Sequence, residues 1–316
     1  MQGVQATAAP EEPARLAREV RELGSVHTLY ASGDYVVMLA ARAAIPHVMN
    51  EIGRLREVSF RAVGEGTGKA RDLDDFDDWY QQLFVWQPSS QQVLGAYRLC
   101  MTDVVRRRQG DAGLYTRSLF DFQPGFLDEL GPAIELGRSF VRMELQGAGR
   151  VLAFLWRGIG HLLAARPRYR RLFGPVSVSA SYSEAARQLI ASSLCSGAHR
   201  HALAPRVRAL HPVQLSMQGE SPEADVRQLA RRVAELEPDQ KGLPILVREY
   251  VKLGGQFLAF SVDPAFQAAM DGLVVVDLDR TSSRLLLAHM GPENYERFRN
   301  YVAPAAPAPT LEASPG

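Results

Sequence analysis

Charged and aromatic side chains recur at short spacings through the first half of the chain. They form Arg54-Leu55-Arg56-Glu57-Val58-Ser59-Phe60-Arg61, Asp72-Leu73-Asp74-Asp75-Phe76-Asp77, Gly95-Ala96-Tyr97-Arg98 and Glu135-Leu136-Gly137-Arg138. Carboxylates and guanidinium groups mixed in this way can do two kinds of chemistry. A planar guanidinium grips a carboxylate bidentately, whether the protein's own or a ligand's. A carboxylate without such a partner can accept a proton. No single piece is specific; the information lies in their order and spacing.

Two glycine-rich stretches could cradle phosphate. Gly64-Glu65-Gly66-Thr67-Gly68-Lys69 fails as a P-loop, which needs Gly, four residues, then Gly-Lys-Ser/Thr. Val63 stands where the first Gly belongs, and Ala70 replaces the hydroxyl. It reads as a surface loop. Gln146-Gly147-Ala148-Gly149-Arg150-Val151 lies between a predicted strand and a predicted helix. Free N–H groups and the helix dipole would favour a phosphate there. No G-x-S-x-G elbow is present, so serine-hydrolase chemistry has no support. His199, His201 and His211 occupy a weakly patterned stretch without an obvious carboxylate partner and read as solvated, so no metal site is expected. His161 sits in an apolar helix and reads as packing.

These residues need a scaffold, and composition bounds it. The 316 residues are 46% hydrophobic and 22% charged, enough for one large domain or two small ones. Lys plus Arg number 36 and Asp plus Glu 35, so bulk charge implies no nucleic-acid partner and no membrane partner. Cys100 and Cys195 match no paired spacing, which points to a reducing, cytoplasmic setting without disulfides or zinc. Met1 to Pro13 lacks an apolar core and does not read as a signal peptide. The most apolar stretch, Val151 to Ala165, is broken by Arg157 and His161 and is too short to span a membrane.

Periodicity predicts strands at 34–41, 83–86, 92–101, 133–141, 172–180, 257–262 and 273–278. It predicts helices at 45–60, 150–165, 183–194 and 244–253, with Ser183 as a cap and Pro167 as a stop. Residues 12–23 and 223–236 read as further short helices. This order suits one α/β (α+β) domain over 26–300, with a tail and short helix at 1–25, an insertion at about 195–240 and a disordered tail at 301–316.

At Arg56, Phe60, Asp74, Asp77, Arg98, Glu135 and Arg138 the chain resembles the acyl-homoserine-lactone autoinducer synthases. RLREVSFRAVGEGTGK at 54–69, VLGAYRL at 93–99, YTRSLFDF at 115–122, ELGRSFVR at 135–142 and LFGPVSVS at 172–179 resemble still more closely a sister family. That family is the ornithine-acyl carrier protein N-acyltransferases, also called hemolysin-like GNAT proteins. The Gln146–Val151 loop nearly matches the Q/R-x-x-G-x-G/A loop of the acetyltransferase superfamily, departing at Val151. The resemblance implies a GNAT-like fold, a central mixed, mostly antiparallel sheet flanked by helices.

The activity so implied is transfer of a long, 3-hydroxylated acyl chain from acyl carrier protein, or from acyl-CoA, to the α-amine of an amino acid, with ornithine first. No cofactor is permanently bound. Glu135 is implied as base, with a strand carboxylate paired to Arg98 or Arg138 as the equal alternative. Arg98 and Arg138 would hold the acceptor's carboxylate or fix Glu135. Arg56, Phe60, Asp74, Asp77 and Trp156 would shape the substrate site, while Gln146, Gly149 and Arg150 would hold the donor's phosphate. Arg106, Arg107 and Arg108, with Arg150, Arg157, Arg168, Arg170 and Arg171, would dock the acidic carrier protein. A separate O-acyltransferase would act on the product, and a lipid product implies peripheral membrane contact. The alternatives are a synthase of N-acyl amino acid or autoinducer-type signals, a short-chain acetyltransferase and a non-catalytic carrier- or lipid-binding module.

Overall fold

Alternation along the apolar runs makes a large sheet. In the computed structural model, which describes residues 4–147, 149–214, 222–223 and 225–302, ten strands are formed among the described residues. They are β1 (Thr28–Ser32), β2 (Tyr35–Ala41), β3 (Gln81–Gln87), β4 (Gln92–Met101), β5 (Phe120–Phe122), β6 (Ala133–Val141), β7 (Arg171–Val178), β8 (Val207–Ala209), β9 (Gln256–Asp263) and β10 (Ala269–Asp277). Eight of them form one sheet in the order β1-β2-β3-β4-β6-β7-β10-β9. Every neighbouring pair is antiparallel except β6 and β7, which are parallel. Strands β5 and β8 pair separately.

Side chains alternate across the sheet, so each face needs its own helical cover. The helices are α1 (Pro13–Leu23), α2 (Pro46–Ala62), α3 (Thr102–Gln109), α4 (Phe126–Leu130), α5 (Arg150–Ala165), α6 (Glu184–Leu194), α7 (Val226–Leu236), α8 (Ile245–Lys252), α9 (Ser283–Met290) and α10 (Pro292–Arg299). One face is covered by α5 to α10, around Val37, Leu83, Leu155, Leu189 and Val274. The other carries α1 and α2, which pack on Met38, Phe84 and Ala96, and α3 and α4, which pack on Cys100, Phe173 and Leu273.

Most of the expected strands and helices are present; β5, β8 and α4 are additional to them. Edge strand β1 is an addition to the expected strands; it is short, buries none of its residues fully, and is joined to β2 by a tight turn at Gly33, φ +57°. The arginine run 106–108 lies on α3 rather than in a loop, because Thr102 and Val105 bury one face of that turn. Helices α9 and α10 also went unread; they pack on α5 through Leu286, Met290 and Phe298. The expected N-terminal tail is pinned over its described part. Gln5 N–H donates to the Gly68 carbonyl at 2.8 Å, Ala8 N–H to that of Ala70 at 2.9 Å, and Leu16, Ala17 and Leu23 of α1 are buried. The 195–240 stretch is stitched to the sheet's edge by bridges from Arg200 to Phe257 and Pro212 to Ser261. Residues 1–3, 215–221, 224 and 303–316 of the tail and insertion expectations lie outside the described residues.

Candidate active site

The parallel pair β6–β7 is short. Ala133, Ile134 and Glu135 face Arg171, Leu172 and Phe173, and the pairing stops there. Gly174 follows at φ +153°, and a Cβ on it would lie 2.0 Å from the Leu136 carbonyl oxygen. Glycine therefore permits the closest approach at the point where the strands part. Beyond it, β7 stays paired to β10 as far as Val178, while β6 stays paired to β4.

A cleft of about 70 Å³ fills the gap, walled by Gly137, Arg138 and Ser139 of β6 and Pro175, Val176 and Ser177 of β7. Its lining draws on both faces of the sheet. Tyr97 and Tyr250 belong to the core under α5 to α10, whereas Tyr115 and Phe60 belong to the cores on the opposite face. The cleft passes through the sheet.

At this point β6 carries a bulge. Ala96 faces Phe140 and Arg98 faces Gly137, so two steps on β4 match three on β6. The extra residue is left out of the ladder and turns the strand. Arg138, in the bulge, has φ +47°, a conformation that costs about 1–2 kcal/mol for a non-glycine residue.

Its surroundings hold it there. The Arg138 guanidinium stacks on the rings of Tyr115 and Phe266, 4.6 and 4.1 Å from their centroids. Its Nε lies 3.1 Å from Asp72 Oδ2, off-axis for a hydrogen bond, and its Nη2 donates to Asp74 Oδ2 at 3.3 Å. Arg98 Nη1 donates to Asp74 and lies 3.4 Å from Asp77, and its guanidinium sits over Phe76, Tyr80 and Tyr115. Arg56 donates to both Asp77 oxygens, at 3.0 and 3.3 Å, and to Gln82 Oε1 at 2.6 Å. Three arginines and three aspartates thus form one ladder, largely closed to water. Of its members, Arg138 alone lines the cleft.

Asp77 also closes a capping box with Asp74 at the short turn Asp75–Asp78. Although burial opposes ionisation of Asp77, Arg56, Arg98 and its hydrogen bonds outweigh it, and its carboxyl is held well below the usual carboxylate range.

Glu135 stands apart from this ladder. It is 1% exposed and is not on the cleft wall. Tyr80 Oη donates to Oε2 at 2.5 Å, Thr116 N–H donates to Oε1 at 2.8 Å, and Cys100 Sγ lies 3.8 Å from Oε2. Neither Arg98 nor Arg138 is in ion-pair contact with it, so the expected pairing is corrected. Regular alternation puts Glu135 on the Cys100 and Phe173 side, and only the bulge brings Arg138 to the cleft. Burial pushes the Glu135 carboxyl up, against the bonds from Tyr80 and Thr116.

Other expected site residues disperse. Phe60 lines the cleft. Trp156 does not; it packs behind the wall against Tyr97 and Tyr250, with centroids 6.2 and 5.6 Å away. Gly149, φ +66°, precedes α5, whose first turn has no side-chain cap among the described residues. Gln146 Nε2 donates to the Val141 carbonyl at 2.9 Å, and the Arg150 guanidinium lies 5.8 Å from the Tyr35 centroid. These three lie outside the cleft lining, on the chain that leaves the open end of β6; Ala148 lies outside the described residues. The arginine patch is split, because α3 and α5 cover opposite faces. Within it Arg106 pairs with Asp111 and Asp128, Arg107 and Arg168 with Asp103, Arg170 with Asp279, and Arg171 Nη2 lies 3.9 Å from Asp277. His201 Nδ1 accepts from Leu203 N–H, and no cluster with metal-ligand geometry exists among the described residues.

Three buried carboxyl groups escaped the sequence reading. Glu65, from the glycine-rich loop, and Asp271, from β10, line the cleft, and Asp263 of β9 accepts from Tyr115 Oη at 3.3 Å. Ser177 Oγ donates to Glu65 at 2.8 Å. Burial raises Glu65, and burial with Asp263 and Glu65 nearby raises Asp271 well above the usual value. The available signal was an acid breaking the otherwise apolar run Ala269–Val276.

Residues 55–157 match the family described as the acetyltransferase (GNAT) domain. The fold is accordingly a GNAT fold, with a large, mostly antiparallel sheet flanked by helices. The chain is also 42% identical over 156 residues to a glycine N(alpha)-acyltransferase of Phocaeicola vulgatus, covering 46% of this chain and 48% of that protein. A protein of the same name from Bacteroides thetaiotaomicron is 42% identical over 156 residues, covering 46% of each. The chain thus spans about half the length of these curated relatives. Both likenesses support an acyltransferase family.

Proposed function

We propose that this chain is an N-acyltransferase that carries an acyl group from a thioester to the α-amine of an amino acid. The observation that carries this reading is the cleft through the sheet at the bulge of β6. A thioester carbonyl lying along that strand would meet backbone N–H groups released from the ladder, which suits the oxyanion that forms during attack. The uncapped first turn of α5, with Gln146, Gly149 and Arg150, would take the phosphate of the donor's phosphopantetheine arm. GNAT enzymes use acyl-CoA; the sequence resemblance adds acyl carrier protein and a long 3-hydroxyacyl chain. Arg138 would face the acceptor's carboxylate. Glu135 holds Tyr80 and the turn carrying Tyr115 in place and is a positioning residue.

Ornithine is the first acceptor, on the sequence resemblance. Glycine is the second reading, supported by the names of the two relatives and by a cleft whose volume matches about five waters. The product would be a lyso-aminolipid, completed by a separate O-acyltransferase, with the enzyme touching the membrane peripherally. No helix among the described residues is long and apolar enough to cross a membrane. The test supplies acyl carrier protein and CoA thioesters, each with a panel of amino acids, and reads products by mass spectrometry. N-acyl ornithine or N-acyl glycine is the expected result. Absence of any N-acyl amino acid refutes the reading.

A further inference from the structure

An amine attacking a thioester must first lose a proton, so a proton acceptor must stand within its reach. Glu135 is a poor one, since it is sealed from the cleft and both its oxygens are engaged. Asp271 is different. It lines the cleft, is 8% exposed, and finds no hydrogen-bond partner among the described residues.

The polar groups around it are already committed. Arg138 faces it from β6 but is bound to Asp72 and Asp74. Tyr115 donates to Asp263, which faces Asp271 from β9. Ser177, its cross-strand neighbour on β7, donates to Glu65, which faces it from the glycine-rich loop. Its carboxyl therefore opens onto the cleft with its acceptor capacity unused by the protein, where a ligand N–H can reach it.

Resting on the acyl-transfer reading above, we propose that Asp271 accepts the proton of the incoming ammonium, with Glu65 holding a second N–H of that group. One proton passes from the ammonium nitrogen to the Asp271 carboxylate. The freed nitrogen lone pair forms the C–N bond at the thioester carbonyl, and the C–S bond breaks as the tetrahedral intermediate collapses. The remaining surplus proton on nitrogen goes to the departing sulfur, and Asp271 releases its own to water. The placement of Asp271 beside Asp263 and Glu65 supports this role, because burial and those two neighbours make Asp271 bind its proton more tightly and bring it nearer to the amine in basicity.

The test uses the full chain carrying Asp271→Asn. Turnover with amino-acid acceptors should fall by about 100-fold or more. The KM for the thioester should hold, and the acid limb of the kcat/KM profile should disappear. A weakly basic amine such as trifluoroethylamine, uncharged at the assay pH, should recover most of the lost rate. Melting should occur at or above the wild-type temperature, which separates lost chemistry from lost fold. Glu65→Gln should raise the KM for the amine more than it lowers kcat. Turnover of Asp271→Asn within threefold of wild type would overturn the assignment, as would an equal loss with charged and uncharged amines. A wild-type protein that acylates no amine would instead overturn the acyl-transfer reading, and this assignment with it.

Discussion

Replacing Asp77 by Asn keeps the shape of the side chain and removes one negative charge from the ladder beside the cleft. Arg56 and Asp77 are both 0% exposed and Arg98 is 1% exposed, so water cannot make up the loss. The variant leaves three guanidinium groups facing two carboxylates, and Arg56 keeps only neutral acceptors, Gln82 and the Asp72 carbonyl, within hydrogen-bond distance. Breaking a buried pair in this way costs about 3–5 kcal/mol. Set against a typical total of about 5–15 kcal/mol, that is a large fraction. With an m-value of about 3 kcal/mol per molar urea, the unfolding midpoint should drop by about 1–1.7 M. The pH dependence fixes the sign independently. Asp77 is depressed in the folded state, so its contribution is fully present above the unfolded value of about 3.9 and is lost as pH falls through the folded one. The gap between wild type and Asp77→Asn should therefore narrow below about pH 4. Urea titrations at pH 7 and pH 3 check both statements. A cost under about 1 kcal/mol at pH 7, or an undiminished gap at pH 3, would refute the picture of a charge-balanced buried ladder.

Gly174→Ala should cost about 2–6 kcal/mol, combining overpacking with a strained φ, and a thermal melt within a degree of wild type would contradict the close approach to Leu136. Glu135→Gln can accept from only one of Tyr80 and Thr116, so stability should fall by about 1–3 kcal/mol while turnover falls far less than in Asp271→Asn. Equal losses of turnover would return Glu135 to the chemistry. Glu57 accepts from Thr67 Oγ, Thr67 N–H, Gly68 N–H and Arg61, so Glu57→Gln should loosen the loop that carries Glu65. Limited proteolysis should then cut within 64–69 sooner, and an unchanged cleavage rate would count against that tether.

Local signals in the sequence carried the elements with strong punctuation. Helix α5 runs over Arg150–Ala165 as expected, with a glycine before it and a proline after it, and Ser183 Oγ accepts from Ala186 N–H at the start of α6 as a cap should. The aspartates and arginines of the ladder were legible as a set, because charged groups at such density in a globular chain must find one another. What stayed hidden was direction. An E-x-x-R spacing says nothing about a bulge, and the bulge is what brings Arg138 to the cleft while Glu135 faces Tyr80. Asp263 carries no motif, and Asp271 enters only through the family-like stretch Asp271-Gly272-Leu273, which assigns it no role. They become a group only when β9 and β10 are laid beside β7, a pairing between segments far apart in the chain. The short helices α3, α9 and α10 were missed because their packing, not their periodicity, holds them.

The three-residue seam between β6 and β7 also has a mechanical meaning. Five strands on one side and three on the other are joined edge to edge only at Ala133–Glu135 and Arg171–Phe173. The sheet is two plates sharing a short hinge, and Val141 lies about 20 Å along β6 from that hinge. A rotation of about 5° between the plates would move the far end by about 1.7 Å over that lever arm. A small rotation at the hinge would thus be geared into a larger change of width at the open end of the cleft.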